Sequence, residues 1–442
     1  MPTSILFWNV RDFSINKINN PSLKRQLHST ISRNAASLDR LNQMLTLINN
    51  ANPDIFILVE NETTRNARGT LVRGGGQTAA TQLLTEIRNR TQRADWMLVP
   101  PIITGPKEGV AVYYRSTNRF FTGPNTWSGG ANGVSQAPGL MTNNYPANLM
   151  NGLPNRLIPG TSPINPGVSE RRVAARINYT FAAHVGVPLA GTVIDFDKWR
   201  APYATTFAEY TGGGAFQRQL TIFSVHSPAS YQSAHTYLQN LANVNEIVSP
   251  PAANEVNIIA GDFNVNVYQT TNGYVPSPAY FNLIAQNYDL TLATTNNVPN
   301  PLDGYPGYFA THIKPARHAR YGSTFGNIQY YPGYGYIGSD QGTFIAIDNI
   351  FVQYGAPTPT PVTTILNTIV GAPFDIYDPP NQYTPEGDYP FHHFMNDFFG
   401  VGGDPPQQAP AYNVGVQTNF KGWSRYGRIY SVSDHFALLV EV

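Results

Sequence analysis

Cysteine is absent from the 442-residue chain, and charged residues are scarce. Without cysteine there are no disulfides, no thiolate metal sites and no thiol nucleophile. Charged residues make up 12% of the sequence, about half the average for a soluble domain. The 28 basic and 27 acidic residues leave a net charge of +1, so no overall positive field attracts nucleic acid. Any phosphate binding must therefore depend on local groups.

Long hydrophobic runs are missing as well. No stretch of about 18 apolar residues is present, so we expect no transmembrane segment. The first apolar run begins at Ser4, which leaves no room for a charged region and an apolar region of a secretory leader. We therefore expect a cytoplasmic protein or one exported by a leaderless route, and the compartment itself is not predicted.

The residues that are present suffice for a large core and many loops. Hydrophobic residues reach 41% and aromatic residues 12%, which excludes wholesale disorder. The 38 glycines and 36 prolines follow no repeating period, which excludes collagen-like and solenoid architectures. This composition indicates short strands joined by long, turn-rich connections.

Helices and strands alternate along the chain. Three- and four-residue spacing of apolar side chains predicts helices over 34–50, 78–91 and 231–248. Short apolar runs predict strands over 4–10, 54–60, 96–99, 110–115, 173–181, 220–226, 256–260, 344–352 and 435–442. Long intervals rich in Gly, Asn, Pro, Thr and Tyr lie between these elements, at about 121–170, 183–217, 265–341 and 354–430. We interpret these intervals as insertions.

Polar side chains stand where the apolar strands end. They are Asn9, Glu60, His226, Asp262 with Asn264, Asp348, and Asp434 with His435. Because the ends of neighbouring strands meet at one rim of a sheet, we expect these side chains to lie close together. Carboxylates and carboxamides suit a hard divalent ion such as Mg2+. The two histidines suit proton transfer near neutral pH.

Taken in order, these segments resemble the six signature blocks of the endonuclease/exonuclease/phosphatase superfamily, and they are most similar to deoxyribonuclease I-like nucleases. The blocks are Trp8-Asn9, Leu58-Val59-Glu60, Ser224-Val225-His226, Gly261-Asp262-Phe263-Asn264, Asp348-Asn349-Ile350 and Ser433-Asp434-His435. Lys107-Glu108 before a strand and His226-Ser227-Pro228-Ala229-Ser230 add to the similarity. The resemblance implies one α+β domain over residues 1–442 that carries the four insertions. Its expected form is a four-layer α/β/β/α sandwich of two packed mixed β-sheets flanked by helices.

The resemblance also implies a divalent metal ion at the site. By this comparison Glu60 binds the ion, and Asn9 and Asp434 assist it. The expected ion is Mg2+, with Mn2+ or Ca2+ as alternatives. Asp262 and Asn264 are expected to orient the attacking water and the phosphate.

Two histidine–carboxylate pairs are implied in the same way. His226 is expected to be held by Glu108, and His435 by Asp348, so that the two pairs move protons and stabilise charge on the phosphate in the transition state. Arg11, Arg171 and Asn264 are the residues expected to contact the substrate.

Two positions depart from the deoxyribonuclease pattern. Pro106 replaces the tyrosine that precedes Lys-Glu, and Asn349 follows Asp348 where an arginine is expected. The first change argues against recognition by a side chain that wedges into a DNA groove.

We expect a divalent-metal-dependent phosphodiesterase, specifically an endonuclease whose partner is nucleic acid, with DNA favoured. One alternative is a sphingomyelinase-like or small-molecule phosphodiesterase or phosphatase, for which the apolar stretch 390–399 offers a membrane contact. A second alternative is a non-catalytic binding or effector module on the same scaffold. The basic cluster His312, Lys314, Arg317, His318 and Arg320 fits a nucleic-acid contact and a solvated loop equally well. Protein partners are not predicted.

Overall fold

The computed structural model describes residues 2–18, 33–64, 72–123, 200, 202–265, 267–269, 275–292, 311–316, 329–332, 346–368, 371–373 and 432–442. The strands in chain order are β1 (Ser4–Phe13), β2 (Ile55–Glu62), β3 (Trp96–Gly105), β4 (Glu108–Arg115), β5 (Arg119–Gly123), β6 (Tyr203–Tyr210), β7 (Phe216–His226), β8 (Glu255–Asp262), β9 (Tyr268–Gln269), β10 (Val275–Pro276), β11 (Asp289–Leu290), β12 (Ile313–Ala316), β13 (Gln329–Pro332), β14 (Asp348–Tyr354), β15 (Thr364–Asn367), β16 (Ala372–Pro373) and β17 (Ala437–Glu441). The helices are α1 (Ile15–Ile18), α2 (Arg33–Ala51), α3 (Gly75–Thr91), α4 (Tyr231–Leu241), α5 (Asn245–Val248) and α6 (Phe281–Ala285), with a 3-10 helix at Pro278–Tyr280. Within these ranges, no helix has both the length and the apolar character needed to cross a membrane.

The strands form two large mixed sheets. The first has the order β16-β15-β17-β1-β2-β4-β3, in which β1 pairs with β17 antiparallel and with β2 parallel. The second has the order β11-β14-β8-β7-β6-β5, in which β7 and β8 are parallel and the other pairs are antiparallel. Two small ribbons, β9 with β10 and β12 with β13, complete the strands. The predicted α+β fold of two mixed sheets is confirmed.

The first strand is buried on both faces. Ile5 and Phe7 belong to the core between the two sheets, together with Leu220 of β7. Leu6 and Trp8 belong to a second core, which contains buried side chains of α2 and α3. Because successive side chains of a strand point to opposite faces, odd positions of β1 meet the other sheet and even positions meet the helices. This double burial explains why the strand reads as an unbroken apolar run.

Most of the predicted elements are present with small changes of boundary. The predicted helices over 34–50 and 78–91 correspond to α2 and α3. The predicted helix over 231–248 is divided into α4 and α5. Near the end of α4, the side chain of Asn243 donates to the carbonyl of Gln239 at 2.8 Å and so satisfies one of the last carbonyls of the helix.

The intervals interpreted as insertions contribute strands to the scaffold. In the interval 183–217, the described residues contain β6 and the start of β7, both in the second sheet, so that interval is shorter at its end than predicted. In 354–430, β15 pairs with β17 in the first sheet. Within β6, polar residues such as Thr205, Thr206 and Glu209 are buried, so no apolar run marks this strand in the sequence. The predicted strand over 173–181 lies outside the described residues.

Candidate active site

The strand-end residues meet at one rim because of how the strands are paired. Parallel pairing brings the ends of β1 and β2, with Asn9 and Glu60, to the same edge of the first sheet. In the second sheet, Asp262 at the end of β8 stands directly opposite His226 of parallel β7. On its other side Asp262 stands opposite Asp348, which begins antiparallel β14. The sheet register alone therefore sets three of the predicted residues side by side.

Asn9 joins the two sheets at the centre of the site. Its carboxamide nitrogen lies 3.1 Å from Glu60 Oε1, 3.0 Å from Asp262 Oδ2 and 3.4 Å from His435 Nε2. Its carboxamide oxygen accepts the backbone N–H of Arg11 at 3.0 Å. Asn9 is fully buried, and its carboxamide nitrogen donates to the carboxylates of Glu60 and Asp262.

His226 is the first of the two paired histidines. Its Nδ1 lies 3.1 Å from Glu108 Oε1, and its Nε2 lies 3.5 Å from Asp262 Oδ2 and 3.7 Å from Glu60 Oε1. Burial lowers the pKa of His226 to about 4, and the guanidinium of Arg200 acts in the same direction against the raising effect of Asp262 and Glu60. This imidazole is therefore neutral near pH 7.

His435 is the second paired histidine, and unlike His226 it is protonated near pH 7. Its Nδ1 lies 2.8 Å from Asp348 Oδ2, and its Nε2 lies 3.7 Å from Asp262 Oδ2. Burial acts to lower the pKa of His435, but Asp348, Asp262 and Asp434 outweigh it and raise the pKa to about 10. Burial also raises the pKa of Asp348 to about 6, although His435 acts against this. At neutral pH we assign the proton of this pair to His435.

Glu60 is an ionised carboxylate at the mouth of the site. Burial acts to raise its pKa, but His226, His435 and the side chain of Asn9 outweigh this, with help from the backbone N–H of Asp12, and lower the pKa to about 2. That N–H donates to Glu60 Oε2 at 3.0 Å. Glu60 and Asp12 both have left-handed backbones, with φ of 59° and 52°. Such strained positions are typical of functional sites.

The donor set fits a hard divalent ion. Glu60 supplies an ionised carboxylate, and Mg2+ needs only one or two carboxylates because water and substrate oxygens complete its shell. Among the described residues, two groups bring three ligand atoms within 4.8 Å of one another: Asp262, Asp348 and His435, and His312, Asp434 and His435. Both groups share His435, so Asp262, Asp348 and Asp434 surround its imidazole, and Glu60 belongs to neither group.

Asp434 and Asn264 have contacts that restrict their roles. Asp434 Oδ2 lies 2.8 Å from Arg11 Nη1, so the arginine expected to contact the substrate is held beside an acid expected to assist the metal ion. The backbone N–H of Asn264 donates to Asp262 Oδ1 at 3.0 Å. Its side chain donates to the carbonyl of Ser227 at 3.1 Å. Asn264 therefore fixes the orientation of Asp262 and ties the ends of β7 and β8 together.

A buried lysine supports the backbone beside Asn9. Lys17 donates to the carbonyl of Val10 at 2.9 Å and also to the carbonyl of Arg11. Burial lowers the pKa of Lys17 to about 7. The pairing of β1 with β2 is irregular between Asn9 and Phe13, and Lys17 takes up carbonyls in this irregular stretch.

Arg200 and His312 were not assigned to the site from the sequence. Arg200 lies just before β6, forms an ion pair with Glu108 and donates to the carbonyl of Ser227 at 3.1 Å. The sequence predicts no strand directly after Arg200, so no local signal marks this residue. Arg171 lies outside the described residues. So do Arg317, His318 and Arg320 of the basic cluster and the apolar stretch 390–399, whereas His312 reaches the site.

The fold and the site together define an α+β sandwich with a buried acidic centre that holds two histidine–carboxylate pairs. No protein-family model and no curated protein matches the sequence. Solved structures similar to this chain include D. rerio TDP2 complexed with a single-strand DNA product, at 9% identity over 100% of this chain and 98% of that chain, with a TM-score of 0.41.

An endonuclease/exonuclease/phosphatase family protein from Leptotrichia buccalis is similar at 12% identity over 99% of this chain and 98% of that chain, with a TM-score of 0.38. A mannosyl-6-phosphatase of Bacteroides thetaiotaomicron is similar at 11% identity over 99% of this chain and 98% of that chain, with a TM-score of 0.35.

Proposed function

We propose that this protein is a divalent-metal-dependent hydrolase of phosphoester bonds. The observation that carries the proposal is the placement of two buried histidines with opposite pKa shifts on one carboxylate oxygen. His226 Nε2 lies 3.5 Å and His435 Nε2 lies 3.7 Å from Asp262 Oδ2. Titratable groups whose surroundings drive their pKa values apart are typical of an acid and base that work together.

His226 is the group suited to accept a proton from the attacking water. The pKa of His226 is lowered to about 4, so the ring is neutral at pH 7. In the tautomer that carries the ring proton on Nδ1, which lies 3.1 Å from Glu108 Oε1, the lone pair of Nε2 would be free to accept a proton. Water bonded between this nitrogen and Asp262 would lose its proton to His226 as its oxygen forms a bond with phosphorus.

His435 is the group suited to act on the phosphate. Its pKa is raised to about 10, so the ring is protonated at pH 7, and Asp348 accepts from its Nδ1 at 2.8 Å. The remaining N–H, on Nε2, would pass its proton to the leaving oxygen as the bond from phosphorus to that oxygen breaks, so that the leaving group departs as a hydroxyl.

Glu60 is the residue proposed to hold the divalent ion, with Asp434 assisting. When bound, such an ion neutralises charge on the phosphate oxygens and so reduces the repulsion that an attacking oxygen meets. Glu60 is prepared for this role because it is ionised far below neutral pH. In the observed arrangement Asn9 orients the Glu60 carboxylate through the 3.1 Å contact.

DNA is the substrate that we propose, with cleavage inside the strand. The sequence blocks resemble those of deoxyribonuclease I-like nucleases, and a guanidinium lies on the outer side of each histidine. Arg11 stands beside Asp434, the neighbour of His435, and Arg200 stands beside Glu108, the partner of His226. Guanidinium groups at both sides suit the oxygens of a phosphodiester backbone.

Turnover of three substrates tests the proposal. Supercoiled plasmid, RNA and sphingomyelin are each incubated with the purified protein and Mg2+ or EDTA. We expect plasmid nicking that EDTA abolishes and that Asp262→Ala and His435→Ala lose, whereas His235→Ala, on the surface of α4, retains it. Cleavage of RNA or sphingomyelin alone would replace the substrate assignment, and no turnover of any phosphoester would contradict the proposed hydrolase.

The metal dependence tests the role of Glu60 separately. Because Glu60 is the proposed ion-binding carboxylate, Glu60→Ala is expected to raise the Mg2+ concentration that gives half-maximal nicking. Glu86→Ala on α3 serves as the matched control and should keep the titration of the parent protein. An unchanged midpoint in Glu60→Ala would count against its assigned role.

A further inference from the structure

A third histidine reaches the site from the interval 265–341. His312 precedes β12 and pairs with His435 as an isolated antiparallel bridge. Next to it, the backbone N–H of Phe436 donates to the carbonyl of Thr311 at 2.8 Å. A segment that the sequence leaves outside the signature blocks is therefore hydrogen-bonded to the backbone that carries His435.

Thr311 also contacts the other member of the histidine–carboxylate pair. Its hydroxyl accepts the backbone N–H groups of Ile347 and Asp348 at 3.0 and 2.9 Å. Thr311 is fully buried. One residue thus bonds the strand start that carries Asp348 and, through its carbonyl, the segment that carries His435. These bonds place the next residue, His312, beside the strand start that carries Asp348 and beside the segment that carries His435.

The ring of His312 contacts two groups of the site. Its centroid lies 4.6 Å from that of His435, with the two rings inclined at 77°, an edge-on arrangement that restricts how the His435 ring can turn. Its Nε2 lies 3.8 Å from Asp434 Oδ2, the oxygen that Arg11 also contacts at 2.8 Å. Asp434 therefore lies between a guanidinium and an imidazole.

We infer that His312 is a positioning residue of the hydrolytic site. It acts through two neighbours: its ring keeps the His435 imidazole facing Asp262, and its Nε2 helps to hold the Asp434 carboxylate at the rim. The inference rests on the proposed function and extends it, because His312 lies in none of the signature blocks. Replacing His312 would leave His435 and Asp434 in place but would remove the contacts that orient them.

Kinetics of three His312 variants test the inference. His312→Ala removes both contacts, His312→Gln keeps a donor near Asp434, and His312→Phe keeps a ring against His435. We expect kcat to fall about tenfold in His312→Ala, with KM changed less than about twofold, as is typical when a supporting group behind an active residue is lost. The Gln and Phe variants should each recover part of kcat, and His235→Ala should match the parent protein.

A spectroscopic readout keeps this test separate from the test of the proposed function. The Nδ1 proton of His435, bonded to Asp348 over 2.8 Å, is expected to give a low-field NMR resonance that Asp348→Asn abolishes. We expect this resonance to shift or broaden in His312→Ala and to be unchanged in His235→Ala. If the parent protein hydrolyses no phosphoester, the proposed function fails and the resonance alone decides the inference. In an active protein, a folded His312→Ala variant with the kcat of the parent overturns the inference.

Discussion

At the residue scale, the site works because two identical side chains have opposite charge states. His226 and His435 are both buried and both face Asp262. Burial and Arg200 lower the pKa of His226 against the effect of Asp262 and Glu60, whereas at His435 the carboxylates of Asp348, Asp262 and Asp434 outweigh burial and raise the pKa. The surroundings, and not the residue type, therefore separate the proton acceptor from the proton donor.

Replacing Arg200 is expected to shift the acid side of the pH profile. His226 must be neutral to accept a proton, so activity is lost as pH falls through its pKa, which is about 4 in the parent protein. In Arg200→Gln the cation is gone and Glu108 faces His226 alone, so the pKa rises. We expect the acid limb of kcat to move up by about one pH unit. The profile of kcat against pH measures this, with Arg90→Gln on the surface of α3 as the control, and superimposable acid limbs would contradict the assignment.

At the element scale, irregular strand ends turn the side chains into the site. The pairing of β1 with β2 shifts after Asn9, and the pairing of β2 with β4 shifts after Leu58. In the second sheet the ladder of β7 and β8 stays regular up to His226 and Asp262. Gly261 allows this close pairing, because a Cβ there would lie 2.7 Å from both the Cβ and the carbonyl oxygen of Val225.

A methyl group added at Gly261 is expected to separate β8 from β7 and so to displace the site residues at the ends of these strands. Gly261→Ala must push β8 from β7 beside His226 and Asp262, since the contact is with backbone. We expect the free energy of unfolding to fall by about 1–3 kcal/mol, as for other overpacked positions, and kcat to fall with it. Urea unfolding and kcat measure the two effects. Gly212→Ala is the control, because nothing lies within 4 Å of a Cβ there. If Gly261→Ala kept the unfolding free energy and the kcat of the parent protein, the pairing of β7 with β8 would tolerate the added methyl group.

The strand ends could be predicted from the sequence, and the supporting residues could not. Asn9, Glu60, His226 and Asp262 follow apolar runs, and such runs carry a local signal. Arg200 and His312 come from intervals without periodicity, and only long-range pairing brings them to the site.

At the scale of the whole molecule, a buried ionic network joins the two sheets at the ends of the strands away from the site. Glu209 of β6 lies 2.7 Å from Arg119 Nε and 2.7 Å from Arg218 Nε. It also accepts the hydroxyl of Thr3, the residue before β1. Arg218 donates to the carbonyl of Val442 at 2.7 Å, just after β17. The network therefore links the second sheet to the central strands of the first.

Removing Glu209 is expected to destabilise the fold without changing the chemistry. Glu209→Ala removes the carboxylate that Arg119 and Arg218 share, although Arg119 keeps its ion pair with Asp54 at 3.4 Å. Breaking a buried pair costs about 3–5 kcal/mol. Burial acts to raise the pKa of Glu209, but Arg119 and Arg218 outweigh it and lower the pKa. Its contribution is therefore present above the unfolded-state pKa and lost as pH falls through the folded-state pKa.

Urea unfolding at several pH values measures this contribution. The difference between parent and Glu209→Ala should be largest at neutral pH and should shrink in acid, while Glu86→Ala stays close to the parent protein. Activity per folded molecule should be retained. A difference that is independent of pH would mean that the carboxylate charge does not stabilise the fold.

The cleavage rate of DNA in a cycle of histidine variants tests the central claim most directly. Single-turnover rates with Mg2+ are compared for the parent, His226→Ala, His435→Ala and the double variant. If both rings act on one phosphate, each single variant slows cleavage by about 100- to 10,000-fold, and the double variant is little slower than the worse single one. Losses that multiply in the double variant, or a single variant that cleaves at the parent rate, would contradict a shared hydrolytic site.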